Sequence, residues 1–415
     1  MRRRAIVSWC LYDFANSIYA AVIIATVWGA YYANTVVGND AGVGDLWWGR
    51  AVSLSMLLVA LTSPVVGALA DAGGLRKRLL TAYTLLAILG TAMMARVQPG
   101  WIVFGFAVTV LANLGFEGAM VFYNAYLPDL AEPSYRGRLS GWGYGVGYAG
   151  SLLGLVAALP LVRSGRYGAT FLMVAGSFLV FALPALIWLP ADRPPAAGRL
   201  ALIRRSLSAT WATFREITAT RGLRRFMLAY FIYIDGVNTI IYFSSIFAAQ
   251  TLGFGMPQLV AVFMIVQATA LIGALAWAVP TDRLGPRRVI LILLVQWSVV
   301  VVCAYYVTGA FAFYLLAGLA GTGLGAIQSA SRAYMAKLIP EGREGEFFGF
   351  YALCGKTASI LGPLVFGYVS VATGGNQRLS ILSVLVFVLV GGLVLLGAPR
   401  TDDATGAPLV DAGAA

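Results

Sequence analysis

Residues 125–154 read AYLPDLAEPSYRGRLSGWGYGVGYAGSLLG, and residues 333–362 read AYMAKLIPEGREGEFFGFYALCGKTASILG. Aligned without gaps, they pair Ala125 with Ala333, Tyr126 with Tyr334, Leu130 with Leu338, Gly137 with Gly345 and Gly141 with Gly349. Gly147 with Gly355, Ser151 with Ser359, Leu153 with Leu361 and Gly154 with Gly362 continue the series. Two further pairs fall in the same order along the chain. Asp13-x-x-Asn16-Ser17 returns as Asp235-x-x-Asn238-Thr239, and Asp71-x-x-Gly74-x-Arg76 returns as Asp282-x-x-Gly285-x-Arg287. Gly, Ala and Leu coincide often by chance in apolar helices, so the weight rests on three anchors in one order. The chain is a duplication.

Composition says what is duplicated. Of 415 residues, 60% are hydrophobic and only 11% are charged, with a mean hydropathy of +0.82. Soluble domains carry about 25% charge, which excludes them here. Disorder is excluded by the same hydrophobicity. Cys10, Cys303 and Cys354 are too few and too scattered for a disulfide scaffold, and histidine is absent. A helix needs about 20 mostly apolar residues to cross a bilayer. Twelve stretches qualify: 8–36, 46–70, 79–97, 101–127, 139–162, 168–190, 223–250, 257–279, 288–308, 310–335, 347–372 and 378–398. The first is too long for a cleaved signal, carries Asp13 and Asn16, and leads straight into another span. Six crossings return the chain to its starting side, so the two halves share one orientation. The expected fold is an all-α membrane protein, twelve transmembrane helices in two parallel six-helix repeats. Residues 1–190 and 223–400 form the bundles, 191–222 a linker, and 401–415 a disordered tail.

The net charge of +12 follows the same plan. Basic residues crowd the segments around Arg2, Arg76, Arg136, 193–225, Arg287, Arg343 and Arg400. Only Arg50, Arg96, Arg163, Arg166 and Arg378 fall in the alternate loops. That asymmetry puts both termini in the cytoplasm, in a bacterial cytoplasmic membrane. No continuous basic face exists to track phosphates, so nucleic acid is not a partner. In the linker, Leu200, Ile203, Leu207, Trp211, Phe214 and Ile217 recur at helical spacing, as in an amphipathic helix lying on the membrane surface. Lipid is one expected partner and a small-molecule substrate the other. The chain is expected to be a monomer.

The loop motif Asp71-x-x-Gly74-x-Arg76-Lys77 and its copy Asp282-Arg283-Leu-Gly285-Pro-Arg287-Arg288 resemble the loop motif of the major facilitator superfamily. Ala72 departs from the basic residue usual at its position. Within that superfamily, Trp9-Cys-Leu-Tyr12-Asp13-Phe-Ala15-Asn16-Ser17 resembles the vacuole effluxer Atg22-like group. So do Tyr123-Asn124-Ala-Tyr126-Leu127-Pro128-Asp129 and Gly345-Glu346-Phe347-Phe348-Gly349. The likeness spans essentially the whole chain. It implies transport, with amino acids the cargo linked to fungal members of the group. It also implies that the first and fourth spans of each half line a central cavity.

Charges at membrane depth cost at least about 2.5–3.5 kcal/mol each, so each needs a reason. Counting the helical rise from the flanking polar ends puts Asp13, Glu117, Asp235 and Lys356 roughly 13–18 Å deep, near the midplane. Asp13, Asn16 and Ser17 share one helix face, as do Asp235, Asn238 and Thr239. These eight residues are the candidate path for substrate or protons, with Lys356 either meeting a substrate carboxylate or pairing with Asp235. The alternative is that the stripes only brace each bundle. Asp71 with Arg76, Asp282 with Arg287, and Arg332 are candidates for a cytoplasmic gate.

No cofactor or metal is expected. Five residues separate Gly349 from Gly355-Lys356-Thr357, where a phosphate-binding loop needs four. An intramembrane enzyme lacks any nucleophile–base pair or metal cluster at matched depth. The function read from the sequence is a secondary transporter for an amino acid or similar zwitterion, working by alternating access, with protons as the coupling ion. A cationic drug or polyamine exporter is the alternative within the class. A channel or transport-inactive receptor is the alternative outside it.

Overall fold

The computed structural model describes residues 2–130, 133–192, 208, 211–212, 214–338 and 344–399, and among them there is no strand. Span 1 runs through Arg2–Tyr19, a π-helical turn Ala20–Ile24, Val27–Tyr31 and a second π-helical turn Tyr32–Val37. Spans 2 to 6 are Val43–Gly73, Arg76–Met94, Ile102–Ala125, Pro133–Arg163 and Tyr167–Trp188. Spans 7 to 10 are Arg221–Leu252, Met256–Ala276, Pro286–Tyr306 and Ala310–Leu338. Span 11 comes in two pieces, Glu344–Thr357 and Leu361–Ala372, and span 12 in two, Gln377–Ser383 and Leu385–Leu396.

Among the described residues, ten helical stretches are long and apolar enough to cross a bilayer. The two other predicted spans are present as helices but fall short for different reasons. Span 3 opens on Arg76-Lys77-Arg78, and span 11 is divided. Span 5 begins at Pro133, well before the apolar run that marks it in the sequence. Of the predicted linker helix, Leu200, Ile203 and Leu207 lie outside the described residues. Trp211 and Phe214 are exposed and stack with ring centroids 5.2 Å apart, whereas Ile217 turns inward and is buried. The tail predicted from residue 401 is likewise outside the described residues.

Spans 1, 5 and 6 pack together, span 3 packs on spans 4 and 6, and span 2 packs on span 4. In the second half, span 7 packs on span 12, span 8 on span 10, and span 9 on both 10 and 12. Small residues set these distances. A β-carbon on Gly150 would sit 2.4 Å from the Phe14 carbonyl oxygen, so spans 1 and 5 touch backbone to backbone. Gly325 plays the same part between spans 8 and 10, where the Ala270 carbonyl oxygen is 2.0 Å from the added atom. The bundles meet through span 2 on span 11, span 5 on span 8, and the last turns of span 1 on span 7.

The two ends of the molecule are distinct. At the end carrying the termini, Lys77 Nζ donates to the carbonyls of Ile187 (2.9 Å) and Leu189 (2.8 Å), capping the C-terminus of span 6. Tyr334 donates to the Pro399 carbonyl at 2.6 Å on the same end. The opposite end holds the short loops around residues 38–42, 98–101 and 373–376, where Gly100 N–H donates to Val36 at 2.8 Å.

Candidate translocation site

Span 1 presents Asp13, Asn16 and Ser17 to span 5. Asp13 and Asn16 are buried and Ser17 half-buried. The facing surface is glycine. A β-carbon on Gly143 would lie 3.1 Å from Asp13 Oδ2, and one on Gly147 would lie 2.7 Å from Ser17 Oγ. Ser151 Oγ donates to the Ser17 carbonyl at 3.1 Å. Asp13 forms no hydrogen bond or ion pair with any described residue. The Asn16 Oδ1 atom and the Tyr19 hydroxyl are buried without partners. A buried polar atom left unpaired costs about 1–3 kcal/mol, so two such atoms close to an unpaired carboxylate are not what packing alone selects.

Glu117 on span 4 joins this group from the other side. Phe116 stacks on Tyr19 with centroids 4.5 Å apart, and Glu117 couples electrostatically to Tyr19 and to Tyr242 of span 7. One turn nearer the opposite end, Asn113 donates to Ser55 Oγ at 2.7 Å while its own Oδ1 stays unpaired. Polar groups of both bundles thus approach one another at mid-depth around Tyr19, Glu117 and Tyr242.

The second stripe sits differently. Asp235 is 0% exposed, and both of its carboxylate oxygens accept from the Gly362 N–H at 3.0 Å. Asn238 Nδ2 donates to Ser359 Oγ at 2.9 Å, and Thr239 Oγ1 returns to the Asp235 carbonyl at 2.7 Å. Both stripes therefore face the fifth span of their own half, as the duplication requires. The first holds unpaired groups, whereas the polar groups of the second are engaged with span 11 and with one another. The side chain of Lys356 is outside the described residues, so its pairing with Asp235 is not on view.

At the end with the termini, Arg76 pairs with Asp129 at 2.6 Å and donates to the Ala125 carbonyl at 3.0 Å, with its guanidinium over the Tyr126 ring. It ties span 3 to the end of span 4. Arg287 donates to the carbonyls of Leu395 and Leu396 and ties span 9 to span 12. The side chains of Asp71 and Asp282, the predicted gate partners, are outside the described residues. Arg332 is exposed at the same end and lies in the field of Tyr351.

Hydrogen bonds join the two bundles from mid-depth to the end opposite the termini. Ser53 Oγ donates to Ile360 O (2.8 Å), Trp48 Nε1 to Tyr242 O (3.0 Å) and Gln250 Nε2 to Asn39 O (3.2 Å). Asp45, 0% exposed, accepts from Asn39 at 2.8 Å, from Gln377 at 2.9 Å to each oxygen, and from the Ser370 hydroxyl. The molecule is closed at that end. Asp45 is a further buried acid that the sequence did not single out. It sits in the first turn of span 2 beside a loop, where an acid reads as a helix cap. Only its partners on the other bundle mark it as an inter-bundle tie.

A family model described as vacuole effluxer Atg22 like matches residues 50–402. The uncharacterized MFS-type transporter YxiO of Bacillus subtilis (strain 168) is 30% identical over 407 residues, covering 95% of this chain and 94% of that protein. Autophagy-related protein 22 of Coccidioides immitis (strain RS) is 24% identical over 434 residues, covering 84% of this chain and 72% of its own length. Among solved structures, the nucleoside transporter NupG superposes with a TM-score of 0.70 at 15% identity, covering 94% of this chain and 99% of that one. A D-xylose-proton symporter superposes with a TM-score of 0.70 at 13% identity, covering 96% and 98%. At such identities the two structures speak to fold alone.

Proposed function

The chain belongs to the vacuole effluxer Atg22-like family, and from that premise we propose that it carries an amino acid or similar zwitterion across the membrane by alternating access. It is an integral membrane protein of the major facilitator fold, a transporter and not an enzyme. The finer reading rests on one observation: Asp13, Asn16 and Tyr19 hold unused polar capacity at mid-depth, beside Glu117, in a molecule closed at one end. Paired or water-exposed groups would need no solute. Unpaired buried ones stabilise a solute or proton that arrives to meet them.

In this reading the termini face the cytoplasm of a bacterial cell, on the strength of the basic residues gathered there. Asp13 carries the coupling proton. Its carboxylate is released from desolvation when it is protonated, and it takes up charge again when the cavity opens to water. Asn16 and the Tyr19 hydroxyl hydrogen-bond the solute, and Glu117 meets its ammonium group. Asp71 and Asp282, with Arg76 and Arg287, draw the cytoplasmic ends together in the other half of the cycle. Asp129 then holds Arg76 in reserve while that end is apart.

The test pairs binding with driven uptake. Thermal shifts of the purified protein against amino acids, polyamines and sugars identify a solute. Uptake of it into proteoliposomes under an imposed proton gradient then reports coupling. Asp13→Asn should keep the thermal shift and lose gradient-driven uptake. A shift from polyamines alone would replace the zwitterion with a cation as cargo. Full driven uptake in Asp13→Asn would remove the proton from Asp13.

A further inference from the structure

Span 11 stops being helical between Thr357 and Leu361, inside the membrane. Pro363 weakens the helix here, since it offers no N–H and its ring opposes the carbonyl of residue 359. Pro160 and Pro184 lie inside continuous helices, so the break also depends on the packing around it. The equivalent position of span 5 by the repeat is Leu155, and span 5 is continuous there. A break at membrane depth exposes backbone groups that lipid cannot satisfy.

Two bundles satisfy them. From its own bundle, Asp235 places its carboxylate on the Gly362 N–H, at the start of the second piece. Asn238 holds Ser359, which is 1% exposed. From the other bundle, Ser53 donates to the carbonyl of Ile360, the residue that opens the second piece. Spans 7 and 2 press on the break from opposite sides without spare room. A β-carbon on Gly362 would lie 1.9 Å from Thr239 Oγ1, and one on Gly49 would lie 2.4 Å from the Pro363 carbonyl oxygen.

We infer that Asp235 is a positioning residue that holds the break of span 11 throughout the cycle, and that Ser53 ties the break to the other bundle only while the end opposite the termini is closed. The step from geometry to cycle rests on the transporter reading, but not on any cargo. Asp235 shares a bundle with span 11 and travels with it. Ser53 belongs to the other bundle, and separating span 2 from span 11 removes its hydroxyl from Ile360. The second stripe is thus spent on the break and does not meet the solute.

Pulsed electron-spin distance measurements test this without a solute, in protein whose three cysteines are changed to serine. Labels at Gln98→Cys and Thr308→Cys span the closed end, and labels at Gly349→Cys and Val371→Cys span the break. Ser53→Ala should raise the ratio of long to short distances across the closed end about five-fold, the effect of one neutral hydrogen bond. It should leave the span 11 distance unchanged. Asp235→Ala should broaden the span 11 distance, and Pro363→Leu added to it should narrow that distance again. If Asp235→Ala yields no monodisperse protein, recovery by Pro363→Leu supports the assignment and failure to recover contradicts it. An unchanged span 11 distance in Asp235→Ala, or an unchanged closed-end ratio in Ser53→Ala, overturns the corresponding role. Failure to carry amino acids would leave both distance results standing.

Discussion

Asp13 and Asp235 occupy equivalent places in a duplicated sequence, yet one has no partner among the described residues and the other has both oxygens engaged. Removing charge from a buried unpaired carboxylate relieves a desolvation cost, so Asp13→Asn should unfold within about 1 kcal/mol of the parent. Guanidinium unfolding followed by tryptophan fluorescence measures this. A much larger loss would mean that Asp13 braces its bundle. Asp45 is the opposite case. Asp45→Ala leaves the donors of Asn39, Ser370 and Gln377 facing an empty acceptor, each at a cost of about 1–3 kcal/mol, and the closed end should loosen. A melting temperature equal to the parent's would show that those contacts carry no weight. The stripes were legible in the sequence because an acid, an amide and a hydroxyl at i, i+3 and i+4 have no business in lipid. What separates them, Pro363 in one fifth span and Leu155 in the other, became meaningful only once the break was seen.

At the scale of the helix, hydropathy located every span but not its irregularities. Span 1 contains two π-helical turns and an interruption at Ala25–Thr26, where Thr26 takes φ −124° and ψ −76° and donates its hydroxyl to the Ala21 carbonyl. Nothing in an apolar run announces this, because all of residues 21–30 are buried and the departure is imposed by packing. Glycines were readable as close approach, though not which of them matter. Gly150→Ala should destabilise sharply, since the new atom meets the Phe14 backbone. Gly145→Ala meets nothing within 4 Å and should gain up to about 1 kcal/mol from helix propensity. Equal stability of the two variants would contradict the packing described between spans 1 and 5. The loop arginines were legible by motif, but their partners were not. Arg76 reaches Asp129, which is distant in sequence and lies within another quoted motif.

For the whole molecule, duplication and charge asymmetry together carried the fold, because a parallel repeat of six crossings admits one arrangement of ends. Labelling with a membrane-impermeant maleimide should modify Gln98→Cys from outside intact cells and Ser206→Cys only after permeabilisation. The reverse pattern would invert the molecule in its membrane. Cargo was not legible, since a zwitterion, a polyamine and a sugar all want polar groups at the midplane. Under the proposed function, the unpaired groups of the first stripe are the expected working site, and Asp235 of the second is engaged by Gly362 instead. The most direct test of the whole account is solute counterflow. Proteoliposomes loaded with unlabelled amino acids should accumulate labelled amino acid transiently and saturably, and Tyr19→Phe should weaken that exchange. A flux that rises linearly with concentration, or no exchange with any solute of the panel, would contradict a carrier working by alternating access.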